Sequence, residues 1–205
     1  MRVGRGIGQT ETKAAVQLWE QVKQRKAHAT NPPPVLSDGW GGHREALVEV
    51  FGQVPEYRGR GRPPTRKQPV AGWHYAQMVK RRDEQGKLLG IDERVVYGDD
   101  TTLSRTGTRT TCVERTNLTS RHMNGRLVRK TLGFSKELEM LRASCTWEDI
   151  VYNFARPVKT LRVPATAHTG RRWKHRSPAM AAGLTDHIWS IREVLMTIPV
   201  PTNHI

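Results

Sequence analysis

Apolar positions recur along this chain in two different periods. Between residues 10 and 29 they return every three or four places, with Ala14, Ala15, Leu18, Trp19 and Val22 on one side. That spacing predicts a helix burying one face. Thr10 stands at its head as an N-cap, and Pro32-Pro33-Pro34 ends it, since proline lacks an amide hydrogen and its ring collides with the preceding turn. Val35-Leu36 then predicts a short buried strand running into Ser37-Asp38-Gly39-Trp40. A helix follows over 42–51, with Leu47, Val48 and Phe51 turned inward.

Past residue 56 the pattern changes. Arg58-Gly59-Arg60-Gly61-Arg62-Pro63-Pro64 holds too much glycine and proline for either regular element. Strand-like runs over 73–80 and 88–97 flank a turn near Glu84-Gln85-Gly86 and predict a hairpin. A polar loop over 99–110 leads to two long helices. The first is predicted over 111–130, with Val113, Leu118, Leu127 and Val128 among its apolar positions. The second is predicted over 135–153, with Ser135 as N-cap and Leu138, Leu141, Cys145 and Ile150 as its inward stripe. The stretch 156–176 reads as irregular. Ser177-Pro178 and Thr185-Asp186 read as two further helix starts, the last helix ending near Met196. Residues 1–9, rich in Gly and Arg, read as a loop or the end of a strand, and no internal repeat is visible.

Charge alters this picture more than composition does. The 205 residues carry 34 Lys and Arg against 19 Asp and Glu, a formal charge of +15, and only 36% are hydrophobic. Such an excess points to a polyanionic partner, with nucleic acid favoured over a ribosome or membrane surface. The excess is local: residues 56–87 hold nine basic and three acidic residues, and 105–130 hold seven and one. No apolar run approaches the ~18 residues of a membrane span. Met1-Arg2-Val3-Gly4-Arg5 has no hydrophobic signal core. A cytoplasmic, nucleoid-associated protein is expected. Cys112 and Cys145 form no metal-binding spacing with each other or with the eight histidines, and are expected as reduced, buried thiols.

Two carboxylates stand out. Asp38 follows a strand and precedes a glycine and a helix, where it can meet a metal ion at the open end of the strand or cap the next helix as a turn residue. Glu114 heads a helix otherwise dense in cations. It can hold a divalent cation there, or favour the helix dipole as any acidic residue of the first turn does. Hard cations such as Mg²⁺ need a few carboxylates and leave other positions to water and phosphate oxygens. A pair of such ions ~3.5–4 Å apart suits in-line phosphoryl displacement.

Several runs are closely similar to one family. They are Leu36-Ser37-Asp38-Gly39-Trp40; Val113-Glu114-Arg115-Thr116-Asn117-Leu118; Arg126 to Lys136 (RLVRKTLGFSK); Tyr152-Asn153-Phe154-Ala155-Arg156-Pro157 with Lys159-Thr160-Leu161-Arg162; and Ser177 to His187 (SPAMAAGLTDH). Taken together and in order, they resemble the insertion-sequence-one family of DDE transposases over nearly the whole chain. The closing run resembles the long, hairpin-bearing branch of that family.

The resemblance implies an α/β fold. It would be an incomplete RNase H-like core lacking its first strands, with an inserted basic β-hairpin and C-terminal helices. Residues 1–155 would form the partial core, 56–98 its basic loop and hairpin insertion, and 156–205 a basic extension with short helices. It also implies Mg²⁺-dependent DNA strand cleavage and transfer at three carboxylates, with Mn²⁺ as the substitute ion. By motif, Asp38 matches the second and Glu114 the third. The first lies in the family upstream of a segment like Val3-Gly4-Arg5. Before Asp38 this chain holds only Glu11 and Glu20, both on the first predicted helix. The two-ion site is therefore expected only in a complete core, and this chain is expected to be inactive alone.

The expected partners are DNA, both transposon ends and target, together with a second copy or a complementing N-terminal fragment. No membrane is expected. Arg115, Asn117 and Arg121 are expected to orient phosphates or the carboxylates, with Arg126, Arg129 and Lys130 continuing the basic helix. Arg58, Arg60, Arg62, Arg66 and Lys67 are expected to bind DNA. The Gly59 to Pro64 run resembles an AT-hook core, which enters a narrow A·T minor groove, and it reads equally as a basic loop meeting phosphates without preference. Among the tryptophans, Trp173 is the best candidate for stacking on bases, since Arg171, Arg172, Lys174, His175 and Arg176 surround it. A non-catalytic DNA-binding protein of the same ancestry is the alternative function, and RNA binding a weaker third.

Overall fold

The computed structural model describes residues 1–25, 31–59, 61–108, 111–128, 130–165 and 170–197. The fold is mixed α/β, and the chain packs as two units, Val3–Thr116 and Asn117–Ile205, the second joined by Met1–Arg2. Among the described residues no helix is long and apolar enough to cross a membrane.

In the first unit, α1 (Glu11–Arg25) and α2 (Gly42–Phe51) lie against a three-stranded sheet. β1 (Val35–Asp38) pairs in parallel with β2 (Tyr75–Arg82), and β2 pairs antiparallel with β3 (Leu88–Tyr97). The predicted end of α1 at residue 29 lies outside the described residues. Val35 and Tyr75 are register partners and face the helices. They join Ala15, Trp19, Ala46, Leu47, Phe51 and Trp73 in the core, where Trp73 meets Phe51 and Tyr97 edge-on at 6.5 and 5.7 Å. Such pairs add packing energy beyond the area they bury. The buried strand hydroxyls and amide on that face bond one another, whereas the indole nitrogens of Trp19 and Trp73 are buried with no partner among the described residues. The Ser37 hydroxyl lies 2.9 Å from the Tyr75 hydroxyl, to which the Gln77 amide donates at 2.7 Å. Burying these groups without partners would cost stability.

Residues 1–9 form no regular element, in keeping with the loop alternative, and they are held in place. The backbone of Arg5 and Ile7 runs along α1, with Gln21 accepting from and donating to Arg5 and Gln17 accepting from Ile7. The approach is so close that a Cβ at Gly6 would stand 1.7 Å from the Ala14 carbonyl oxygen. The polar loop expected over 99–110 instead contains α3 (Thr102–Thr106). The Asp99 carboxylate starts it, accepting from the Thr101 amide at 2.9 Å and hydroxyl at 2.6 Å. Buried Thr102 packs where a Cβ on Gly98 would stand 2.1 Å from its hydroxyl. A five-residue helix nucleated by side-chain hydrogen bonds leaves no apolar period to read.

The second unit departs further from expectation. The helix predicted to run to residue 130 stops at Met123 (α4, Thr111–Met123). Asn124 turns extended and its side chain accepts from the Arg126 amide, starting a 3₁₀ turn over Gly125–Leu127. Asparagine competes with the helical backbone in this way. α5 (Leu138–Ile150) begins after Glu137, not at Ser135, whose hydroxyl instead meets Arg126 and the Glu137 carbonyl. Its last turn widens into a π segment, Val151–Ala155. The stripe expected to face inward is only partly buried: Cys145 is covered, while Leu138 is 39% exposed.

The segment expected to be irregular contains β4 (Val163–Pro164) paired antiparallel with β5 (Trp173–Lys174). Ser177 caps α6 (Pro178–Ala181) as expected, accepting from the Met180 amide. The Thr185 start is not used. α7 (Ile191–Thr197) is opened by Ser190 and Glu193, each accepting from the other's amide as a capping box does.

Candidate functional site

Asp38 ends β1 and its side chain is exposed. One carboxylate oxygen accepts from the Trp40 amide at 3.2 Å, the turn contact anticipated for this position. It does not cap α2, whose N-cap is Gly41 with no side-chain bond. Beside it, the His43 ring sits edge-on to Trp40 and Trp19, at 5.1 and 6.3 Å. Burial holds the imidazole below its usual pKa of 6.5 against the raising effect of the Asp38 charge. Its Nδ1 is buried with no hydrogen-bond partner among the described residues.

The register decides what else reaches Asp38. Asp38 pairs with Met78, and Lys80 lies two places further along β2. Parallel partners and i+2 neighbours share a face, so Asp38, Met78 and Lys80 lie on one side of the sheet. β1 has ended there, and Lys80 stands about 6.6 Å beyond Met78 along the strand. The Lys80 ammonium is ion-paired with Glu114, in the first turn of α4. Glu114 is thus tied to the face that carries Asp38, across the turn of the β2–β3 pair and the whole of α3. No hydrogen bond or ion pair joins Asp38 to Glu114 themselves, and no group of three or more His, Cys, Asp or Glu residues is gathered for a metal among the described residues.

The basic positions fall into three places. Residues 54–67 form an excursion closed at its base, where Gln53 and Gln68 exchange backbone hydrogen bonds of 3.0 and 2.8 Å. Arg58, Arg62 and Arg66 are exposed on it. Lys67 is not free for DNA in the same way, since its ammonium bonds the Glu49 carboxylate at 2.9 Å. Arg60 lies outside the described residues. Arg115 is exposed beside Glu114 in the first unit. Asn117, Arg121, Arg126 and Lys130 belong to the second unit. There Arg126 bonds Ser135 at 2.8 Å, and Lys130 takes a left-handed backbone with φ 54°. Arg129 lies outside the described residues.

Sequence reasoning passed over Lys80 and His43. Strand alternation from Met78 could have placed Lys80 on that sheet face. Its nearness to Asp38 follows only from the parallel register, which no local pattern carries. His43 directly follows Asp38-Gly39-Trp40-Gly41-Gly42 and looks like any polar helix residue until Trp19 and Trp40 pack edge-on against it. Comparison of the chain with family models, with curated proteins and with solved structures gave no match.

Proposed function

We propose that this chain is the DNA-binding and partial catalytic core of a DDE-type transposase, as its resemblance to the insertion-sequence-one family implies. The supporting observation is the register that puts Asp38 on the sheet face to which Lys80 ties Glu114. These are the two carboxylates the family motifs single out, and they are far apart in sequence. In this reading the sheet is the remainder of an RNase H-like core, and residues 1–155 and 156–205 are core and extension.

The donor set does not by itself fit a two-ion centre. Asp38 offers one oxygen with no hydrogen-bond partner among the described residues, while Glu114 is held by an ammonium. The metal chemistry of strand cleavage and transfer belongs to a centre completed by a third carboxylate, and the activity of this chain alone is DNA binding. With a supercoiled plasmid and Mg²⁺ or Mn²⁺, the purified chain is expected to shift DNA without nicking it. Nicking abolished by Asp38→Ala would overturn the inactivity and keep the transposase. Failure to bind duplex DNA at low salt would overturn the whole reading.

The second reading, a non-catalytic DNA-binding protein acting at cytoplasmic or nucleoid DNA, draws support from the 54–67 excursion. A loop pinned at its base with exposed arginines can meet the backbone or a minor groove without any carboxylate. In that case Asp38→Ala leaves every measurable function unchanged, or tightens binding slightly as a negative charge leaves a basic surface.

A further inference from the structure

Residues 156–176 contain seven Lys and Arg and no Asp or Glu. The described residues among them, 156–165 and 170–176, are held by a short strand pair. β4 and β5 pair in register Val163↔Lys174 and Pro164↔Trp173. Ala165 continues the ladder at one end by donating to the Arg172 carbonyl at 3.2 Å, and beyond the 3₁₀ turn Lys159–Leu161, Val158 donates to the Arg176 carbonyl at 3.0 Å. Arg176 locks one flank through its Nε, which donates to the Leu161 carbonyl at 2.7 Å. On this small scaffold the Trp173 ring carries two cations. The Arg162 guanidinium lies 4.2 Å from the ring centroid and that of Arg172 lies 5.5 Å away. The ring that the sequence pattern offered to a base therefore has two guanidinium groups within cation–π distance.

That arrangement orders two forks that long side chains would otherwise leave free. Stacking leaves the in-plane N–H donors of a guanidinium available. Among the described residues no carboxylate or carbonyl accepts from Arg162 or Arg172. Planar forks held in this way match phosphate oxygens, which accept two parallel N–H bonds. We propose that the β4–β5 ladder is a second DNA contact, separate from the 54–67 excursion, in which Trp173 positions Arg162 and Arg172 on backbone phosphates of a duplex. The inference rests on the DNA-binding reading above and adds a surface to it.

Its signature is that an uncharged residue controls an electrostatic contact. Binding of the full chain to a labelled duplex, measured by fluorescence anisotropy across a salt series, separates the outcomes. Arg162→Gln with Arg172→Gln should weaken binding roughly tenfold and make the slope of log K against log salt shallower by about 1.8, two phosphates at about 0.9 each. Trp173→Ala should reproduce most of that loss with no change in charge, and Trp173→Phe, which keeps a ring, should restore it. Circular dichroism of each variant guards against unfolding. If Trp173→Ala is unfolded, the double glutamine variant with Trp173→Phe still decides. An Arg58→Gln, Arg62→Gln variant that loses affinity while the Trp173 and Arg162/Arg172 variants do not would overturn this inference and leave the DNA-binding reading standing. No binding by the unaltered chain overturns both. Equal competition by heparin and by duplex DNA, with the loss confined to heparin, would also overturn it, making the surface one for other polyanions.

Discussion

The two units are held by different forces. The first, Val3–Thr116, closes around Trp19, Leu47, Phe51, Trp73 and Tyr75, all under 9% exposed. The second has few buried apolar side chains, among them Cys145, Ala179 and Val194, and buries Ser120, Asn124, Glu148, Asn153 and Ser177 beside them. Within it, Arg2 ties α5 to the π segment. That guanidinium pairs with Glu148 and, at 3.0 Å, with Asp149, and lies 3.9 Å over the Tyr152 ring. Arg2 also exchanges backbone bonds of 2.9 and 2.8 Å with the Asn153 amide. Burial of rings is non-directional and tolerant, whereas a buried ion pair stabilises only while both partners stay in place. The contrast teaches where each unit is fragile.

The comparison breaks most visibly at Trp73. Trp73→Ala should cost the first unit about 4 kcal/mol, the range for removing a buried aromatic ring. Denaturant unfolding measures it, and a loss under about 1 kcal/mol would show that the aromatic cluster does not hold this unit. Next comes Glu148→Gln, which removes one of the two carboxylates paired with the Arg2 guanidinium and leaves Asp149 at 3.0 Å. About 2 kcal/mol is expected, less than for a buried charge left with no partner, because Asp149 still compensates it. Hydrogen exchange should then rise in 138–155 and stay unchanged in 35–51. A uniform rise across both segments would contradict separate packing.

The response to pH should have opposite signs in the two units. His43 is held below its usual 6.5 by burial. The unfolded chain therefore binds the proton more readily, and the first unit loses stability as pH falls from 6.5 through the lowered value. His187 in the second unit is raised by its bonds to Asp186 at 2.6 Å and Glu193 at 3.0 Å. Its contribution is complete below 6.5 and is lost as pH rises through the raised value. Melting curves between pH 5 and 8 should show this opposition. His43→Phe should remove the acid side and His187→Gln the alkaline side; a pH profile unchanged by either variant would refute it.

The smallest effect is expected at Lys80. Its side chain is 41% exposed and that of Glu114 is 55% exposed. Lys80→Ala should cost under about 1 kcal/mol, as exposed pairs do. A larger loss in a thermal melt would mean that the tie between β2 and α4 is structural.

Legibility followed the same division. Where apolar burial shapes the chain, the periodicity named the elements nearly to the residue: α2 over 42–51 and β3 over 88–97 have their expected bounds, and β1 and β2 are shifted by two residues at most. Where side-chain hydrogen bonds shape it, periodicity misled. Asn124 cut a helix expected to continue to 130, Glu193 rather than Thr185 set the start of the last helix, and Asp99 built α3 inside a loop. Those bonds depend on one residue meeting one amide, and they leave no repeat for a pattern to show.

The candidate site divides likewise. Motif resemblance marked Asp38 and Glu114, and charge density marked the arginines of 54–67 and of the 156–176 stretch, because residue type alone carries acidity and charge. Tertiary structure alone tied Lys80, on the Asp38 face, to Glu114, set a half-buried His43 edge-on to Trp19, paired Arg2 with Glu148 and brought two guanidiniums to the Trp173 ring. Each of those relations joins residues remote in sequence or paired by strand register. A side chain's own chemistry is written locally, but its partner is chosen by how the chain returns upon itself.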